Sequence, residues 1–428
     1  MTYINAVKYI NSHSGTPSPE RMRLLCRYLG DPQRPLKFVQ IVGGRGKTSS
    51  ASILSTMLKE TGFTVGCYTS SHVFELRERI SISGVPLSHN DFSEYVHRVS
   101  LAAAKMKADI ETALNEAKTQ DGILPESAIQ HKITKNLLEG KISPDPTPEE
   151  IICAAAMLAF SDKGCGISIL ECGDSRADPT GVIDPPLVSF ICGGSLGQEQ
   201  LRTACGTIRR GTREVVCSAV GKEAYNTISN ACAKTGSRMT VPAHGELSVK
   251  EAGLGGKTFD YRGKTYSVPF CAEYHISNAL SAIETVYALR RTGIPLHSTD
   301  IARGIAKARV PLRFEIMSVS PTIIIDCAET AADIAVFTES AKKIRERIGN
   351  NVKIILPPDF EAELCNHLTE SLGSQKVEFI KPDISKNLFK PLTALASTLT
   401  ENDAIFVFGT PEFAGSIKKD LERAMAYR

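Results

Sequence analysis

The 428-residue chain has no tryptophan, no Cys-x-x-Cys pair, no apolar run approaching membrane-spanning length and no excess of one charge. Each absence excludes something. Without a long apolar run, and with a mean hydropathy of −0.08, no membrane span is expected. A net charge of +3 excludes the broad basic field of a nucleic-acid or membrane binder. The twelve cysteines are scattered without metal-ligand spacing, and Cys153, Cys192 and Cys271 sit inside apolar runs. Buried reduced thiols are expected there, not a zinc site or a disulfide frame. The opening MTYINAVKYINSHSG has neither a signal-peptide core nor a cleavage pattern, so a cytoplasmic protein is expected. The missing tryptophan carries no message about function. What is present is a 42% hydrophobic content, ample for the cores of two or three domains.

Residues 38–49, FVQIVGGRGKTS, carry the most information. An apolar, β-branched run ends in Gly43, Gly44, Arg45, Gly46, Lys47 and Thr48, and a helical pattern with Ile53, Leu54, Met57 and Leu58 follows. Strand, glycine turn, lysine, hydroxyl, helix is the layout of a phosphate cradle. Glycines let backbone N–H groups approach phosphate oxygens, and the helix N-terminus adds partial positive charge. Lys47 is placed to reach the outer phosphates, and Thr48 or Ser49 to touch a magnesium ion. The general pattern has a glycine five residues before Gly46, where this chain has Ile41, so the motif is a shortened cradle, GxxGK followed by Thr. A glycine-rich strand-to-helix turn with a solvated lysine is the plainer alternative.

Residues 1–36 read as one or two helices ending in a turn at Asp31-Pro32-Gln33. A short buried strand is expected over 64–68, leaving through the polar loop Thr69-Ser70-Ser71-His72, and a helix over 91–118. The polar stretch 119–146 reads as an insertion or lid-like excursion. Thr147-Pro148-Glu149-Glu150 has the signature of a helix start, with Thr147 as N-cap and Glu150 at the third position. Buried strands are expected at 166–170, with Glu171 at the end, and at 187–192. A second unit starts near Pro311, with strands at 322–326, 352–356 and 404–408 and a helix over 330–347. Alternating strands and helices imply an α/β fold with a parallel sheet, whose ligands sit at the carboxyl ends of strands. Lys47, Ser70 and Glu171 all fall at such ends.

In one order along the chain stand the cradle, TSSHVFELRERISISGVPLS (69–88), TPEE (147–150), LECGDSRADPTGVI (170–183), YHISNA (274–279), RFE (313–315) and DCAET (326–330). Together they resemble the folylpolyglutamate synthase/dihydrofolate synthase family of the Mur-ligase superfamily, over nearly the whole chain. The 69–88 segment is the most specific piece. The resemblance implies a P-loop ATPase-type central domain (1–307, with the insertion near 119–146) and a smaller Rossmann-like C-terminal domain (308–428). It implies an ATP-dependent ligase that phosphorylates a folate or pteroate-type carboxylate and adds L-glutamate to the acyl phosphate. ATP and Mg²⁺ are the implied cofactors, the partners are these small molecules, and a monomer is implied. Carried over residue by residue, Gly46, Lys47 and Ser49 match the phosphate-binding glycine, lysine and P-loop serine, with Gly43, Gly44 and Thr48 beside them. Ser70 and Glu171 match magnesium ligands. Asn278 matches a nucleotide-contacting asparagine. Arg313 matches the linker arginine that reaches ATP phosphates, and Asp326 the aspartate that contacts the ribose.

The departures concentrate on the chemistry. The family cradle reads GTNGKGS; here Gly44 and Arg45 replace Thr and Asn, and Thr48 replaces Gly, a change similar to the GKT of cell-wall Mur ligases. Arg45 puts an extra cation beside the phosphates, to help their binding or to occlude it. The family's second-metal histidine has no counterpart, because no histidine lies between His131 and His244. Its carbamylated lysine is replaced by Ile208-Arg209-Arg210-Gly211, and arginine stays protonated. Asp174-Ser175 before Arg176 is shortened, and Asp326-Cys327-Ala328-Glu329-Thr330 stands where the family has Asp-Gly-Ala-His-Asn. A guanidinium at Arg209 or Arg210 in place of the second metal is one hypothesis. A nucleotide-binding paralogue with weak or lost activity, or a ligase with a different acceptor, is the alternative reading.

Overall fold

A computed structural model describes residues 1–119, 125–173, 177–193, 196–218, 220–328, 330–343, 351–372, 377–383, 389–401 and 403–426. By contact the chain forms two compact units: Met1–Pro242 with Ser281–Ile301, and Ala243–Leu280 with Ala302–Arg428. The expected cut between 307 and 308 falls near the last of these breaks, while residues 243–280 count with the second unit.

The first unit is built on one sheet. Its strands are β1 (Phe38–Gly43), β2 (Val65–Tyr68), β3 (Ile80–Ile82), β4 (Val85–Pro86), β5 (Ile167–Glu171), β6 (Val188–Cys192), β7 (Glu214–Cys217) and β8 (Arg238–Thr240), in the order β4-β3-β2-β5-β1-β6-β7-β8. The β2-β5-β1-β6-β7-β8 run is parallel, and β3 and β4 close one edge antiparallel. Central strands β1, β5 and β6 are buried at every residue, as continuous apolar runs in a covered parallel sheet should be. The register sets Ile41 opposite Glu171 and Gly43 opposite Cys192, so strand ends converge beside the glycine turn.

The helix Pro148–Asp162 begins as read. Thr147 and Glu150 form a full capping box, with Pro148 in the first turn. Glu150 does more than cap. Its carboxylate also accepts from Ser18 N (2.8 Å) and Arg21 Nε (2.7 Å), with Arg21 and Glu150 only 3% and 0% exposed. Arg21 places its other nitrogens on the carbonyls of Ser143 and Thr16, so this buried pair is satisfied on both sides.

The stretch after the 31-residue helix His89–Thr119 is not a lid-like excursion where it is described. Short helices Glu126–His131 and Lys135–Leu138 bury Ala128, Ile133 and Leu137 in the main apolar cluster. Glu20 accepts from Thr134 Oγ1 (2.6 Å) and Asn136 Nδ2 (2.9 Å). Three spaced apolar residues in a polar stretch were enough to dock it. Residues 120–124 of the expected insertion lie outside the described residues.

The second unit holds two sheets. An antiparallel sheet joins β9 (Ser248–Gly253), β10 (Gly256–Tyr261) and β11 (Lys264–Val268) in the order β11-β10-β9. The other joins β12 (Glu315–Val319), β13 (Thr322–Ile325), β14 (Asn351–Ile355), β15 (Val377–Ile380) and β16 (Asp403–Val407) in the order β12-β13-β16-β14-β15. All but the β12–β13 pair are parallel. Phe314, Phe337, Phe406 and Phe408 pack ring against ring in its core, with Leu254, Cys271 and Ala272 in the same cluster. All twelve cysteines are free thiols, and all but Cys205 and Cys365 are buried.

Candidate active site

The cradle forms because the chain must leave β1 and start a helix within three residues. Gly43 (φ +109°) and Gly46 (φ +92°) take left-handed conformations that a side chain would strain. At Gly43 there is also no room: a Cβ would lie 2.5 Å from the Cys192 carbonyl oxygen. Gly44 N donates to that same oxygen (3.2 Å), tying the turn to the end of β6. Gly46 is the N-cap of the helix Lys47–Glu60 and supplies no side-chain cap. The first-turn N–H groups therefore have no capping side chain and suit an anion. Lys47 Nζ reaches back to the Gly43 carbonyl (2.9 Å), which holds its charge over the turn.

Opposite stands Glu171 at the end of β5, 2% exposed. Thr48 Oγ1 donates to both its carboxylate oxygens (3.1 Å each), and Ser70 Oγ to Oε1 (2.7 Å). Burial pushes the Glu171 pKa up, and Ser70, Lys47 and Thr48 oppose that rise. Thus Lys47 and Thr48, Ser70, and Glu171, from three separate stretches of the sequence, converge on one point. Of the two expected cradle hydroxyls, that of Thr48 faces Glu171, and Ser49 is buried.

The oxygen set fits a hard divalent cation. One carboxylate and two hydroxyls beside a phosphate site are what Mg²⁺ takes, since it keeps waters and shares substrate phosphates. A cation there also offsets a carboxylate otherwise costly to ionise. Glu171 would hold it, with Thr48 and Ser70 in support.

Arg209 does not join this group. Its Nη1 and Nη2 donate to the carbonyls of Ile183 (2.8 Å) and Asp184 (3.1 Å). It lines a cavity of about 280 Å³ with Gln40, Cys172, Asp178 and Thr180. Gln40 precedes Ile41, the register partner of Glu171, so strand alternation puts this cavity on the opposite sheet face. Held by its backbone partners there, Arg209 does not stand in for a metal at Glu171. Arg210 is exposed. Arg176, with Asp174 and Ser175, and Glu329 lie outside the described residues.

In the second unit Asp326 follows β13 and is 5% exposed. Its Oδ2 accepts from Tyr274 OH (3.0 Å) and Phe314 N (2.8 Å). Burial pushes its pKa up to about 6, against the nearby Arg313 charge. Arg313 Nη1 donates to the Cys327 carbonyl (2.8 Å). Arg313 is flanked by Leu312 (φ +56°) and Phe314 (φ +47°), two buried residues held left-handed. Such strain, on the order of 1–2 kcal/mol for each residue, persists where the surroundings fix it. Asn278 lies one turn after Tyr274 on the helix Glu273–Arg291, and is half-buried. The contact of Tyr274 with Asp326 and the burial of His275 beside it were not expected. His275 is fully buried with neither ring nitrogen partnered, and burial drives its pKa down to about 3. Only their neighbourhood to Asn278 could have pointed to them.

No family model matches the chain. It is 26% identical over 349 residues to a probable bifunctional folylpolyglutamate synthase/dihydropteroate synthase of Haloferax volcanii, covering 77% of this chain and 37% of that one. It is 26% identical over 396 residues to a folylpolyglutamate synthase of Lacticaseibacillus casei, covering 87% and 84%. The chain thus spans well under half of the archaeal relative and most of the bacterial one. A solved complex of folylpolyglutamate synthase (FPGS) with AMPPCP and folate matches with a TM-score of 0.73 at 22% identity, over 98% of this chain and 100% of that one. In sequence the chain is similar to folylpolyglutamate and dihydrofolate synthases, and in fold to solved folylpolyglutamate synthases.

Proposed function

We propose that the protein is an ATP-dependent ligase that joins L-glutamate to a folate or pteroate-type carboxylate. The observation that carries this reading is the glycine cradle closed over by Lys47 and faced by Glu171, Thr48 and Ser70. The similar solved complex with an ATP analogue and folate supports both substrates. In this reading Gly43, Gly44, Gly46 and the first turn of Lys47–Glu60 seat the phosphates, and Lys47 neutralises the outer ones. Arg313, Asp326 and Asn278 are the second unit's candidates for nucleotide contact, on the resemblance to the folate ligases. A bound Mg²⁺ supplies Lewis-acid neutralisation of phosphate charge.

The steps balance simply. An acceptor carboxylate oxygen attacks the γ-phosphorus, the bond to the β-phosphate oxygen breaks, and ADP leaves. The glutamate amine then attacks the acyl carbon, loses a proton, and phosphate departs with the former carboxylate oxygen. Two anions must meet in the first step, so fixed positive charge at the cradle is the main requirement. We take the enzyme to act as a cytoplasmic monomer. Among the described residues no helix is long and apolar enough to cross a membrane.

The test is phosphate release from Mg-ATP with tetrahydrofolate or dihydropteroate and glutamate present, against controls lacking each. Release that requires both co-substrates is expected. Tight ATP binding with no release would favour the nucleotide-binding paralogue, and glutamate-dependent release with a non-folate acceptor would favour a changed substrate.

A further inference from the structure

One cavity of the first unit has no part in the proposed ligase chemistry. It measures about 280 Å³, and Gln40, Asp178, Thr180 and Arg209 stand in its wall, with none of Lys47, Thr48, Ser70 or Glu171. Gln40 is 2% exposed. Its Nε2 donates to Thr180 Oγ1 (3.1 Å), the Thr180 carbonyl (3.4 Å) and Cys172 Sγ (2.9 Å), which fixes the amide's orientation. Its Oε1 is left buried with no donor among the described residues. Arg209 is anchored by Nη1 and Nη2 on the carbonyls of Ile183 and Asp184, and its Nε is buried with no acceptor among the described residues. Protein interiors pair nearly all such atoms. A missing donor and a missing acceptor at one cavity are what a ligand carrying both would supply.

The fixed charges narrow the class. Arg23 stands exposed at the rim, and Arg209 adds a second cation. The wall's one carboxylate, Asp178, already accepts from Gly173 N (2.6 Å), Thr180 N (2.9 Å) and Thr180 Oγ1. The open positions therefore favour a negatively charged acceptor on Arg209 Nε and a donor on Gln40 Oε1. With its terminal nitrogens anchored, Arg209 offers one N–H and not the paired fork that grips a phosphate. The volume is below the usual range of drug-sized pockets and suits a small molecule.

We propose that this cavity is a binding site for a small carboxylate that also carries an amine or hydroxyl donor, the class of amino acids and hydroxy acids. A carboxylate oxygen accepts from Arg209 Nε, with Arg23 adding charge at the rim, and the ligand's donor meets Gln40 Oε1. Gln40 and Cys172 adjoin Ile41 and Glu171, a register pair of β1 and β5, so the ligand braces the strands that carry the cradle from their other face. It is an effector of the first unit, and the inference stands whether or not the ligase reading does.

The test is calorimetric titration of the nucleotide-free protein with L-glutamate, L-malate and glutarate, the last of which has carboxylates but no donor. Saturable binding of glutamate or malate, about tenfold or more tighter than glutarate, is expected, and the preferred one tells amine from hydroxyl. Gln40→Met and Arg209→Met should each weaken that binding by about tenfold or more. Gly206 lines the same cavity from the helix Gln198–Thr207, is exposed, and an added Cβ there meets no atom within 4 Å. Gly206→Glu should weaken binding by roughly threefold and Gly206→Lys should not, since only the first opposes a carboxylate. Where a melt shows Gln40→Met or Arg209→Met unfolded, the Gly206 pair decides. No saturable binding, glutarate bound equally well, or glutamate binding unchanged in the folded variants expected to weaken it would each overturn the site. Absence of phosphate release from ATP would overturn the ligase reading and leave this site standing.

Discussion

Replacing Asp326 by Asn should make the second unit more stable at neutral pH and flatten its pH dependence. The carboxyl lies 5% exposed, and burial raises its pKa from 3.8 to about 6. Near pH 3 both folded and unfolded chains hold the proton, and ionisation costs nothing. As pH rises through about 4 to 6 the unfolded chain releases it while the folded chain keeps it, so stability falls with pH in that window. A shift of about two units is on the order of 3 kcal/mol, lost in full above the folded value. The neutral amide of Asp326→Asn would carry no such cost. Its oxygen, placed where Oδ2 now lies, still accepts from Tyr274 OH and Phe314 N. His275 works in the opposite direction: burial holds its pKa at about 3, so stability is lost as pH falls below its ordinary 6.5. That contribution is common to both proteins and cancels in the difference. Guanidinium unfolding at a series of pH values, followed by circular dichroism because the chain has no tryptophan, measures the difference directly. The gain from Asp326→Asn should be near zero at about pH 3.5 and grow to on the order of 3 kcal/mol by about pH 7.5. A gain independent of pH would refute the argument.

The buried Arg21–Glu150 pair should show the usual asymmetry. Arg21→Met alone should cost about 3–5 kcal/mol, while Arg21→Met with Glu150→Gln, which removes the unpaired charge and keeps an acceptor for the Ser18 and Thr147 N–H groups, should recover most of that, measured as unfolding free energies in a double-mutant cycle. Gly43→Ala should lose about 1–3 kcal/mol, since the added carbon meets the Cys192 carbonyl at 2.5 Å in a left-handed residue. Nucleotide affinity, read by titration with ADP, should fall further than stability does. Glu171→Gln should reduce Mg²⁺-dependent turnover by about tenfold or more. It should also raise the melting temperature at neutral pH, because burial already disfavours the ionised form of Glu171.

Much of the first unit was legible because its signals are local. The apolar run before Gly43, the glycine turn and the Thr147–Glu150 capping box each need only neighbouring residues, and each formed as read. Expected strands and helices shifted by a few residues at most where they are described: the one at 64–68 runs Val65–Tyr68, and the helix at 91–118 runs His89–Thr119, while 344–347 of the helix expected over 330–347 lie outside the described residues. The β9–β11 sheet went unread because β9 is exposed along almost its whole length and β10, though it alternates, puts Lys257 at a buried position where the pattern wants an apolar residue. The 125–146 stretch misled because its polarity outweighed three anchoring apolar residues. In the site, Glu171 and Ser70 were placed by their strand ends. The left-handed backbone at Leu312 and Phe314 was illegible, since neither residue type favours it and only the fold imposes it. Arg209 misled because both its terminal nitrogens are held by main-chain carbonyls, which no side-chain pattern announces.

The central claim is that a carboxylate is phosphorylated and then coupled to glutamate. The most direct measurement uses an acceptor whose carboxylate carries heavy oxygen, with Mg-ATP and glutamate, and mass spectrometry of the released phosphate. The account predicts one heavy oxygen in each phosphate, passed from the acceptor through the acyl phosphate. Product formation with unlabelled phosphate, or with the label in AMP, would contradict it.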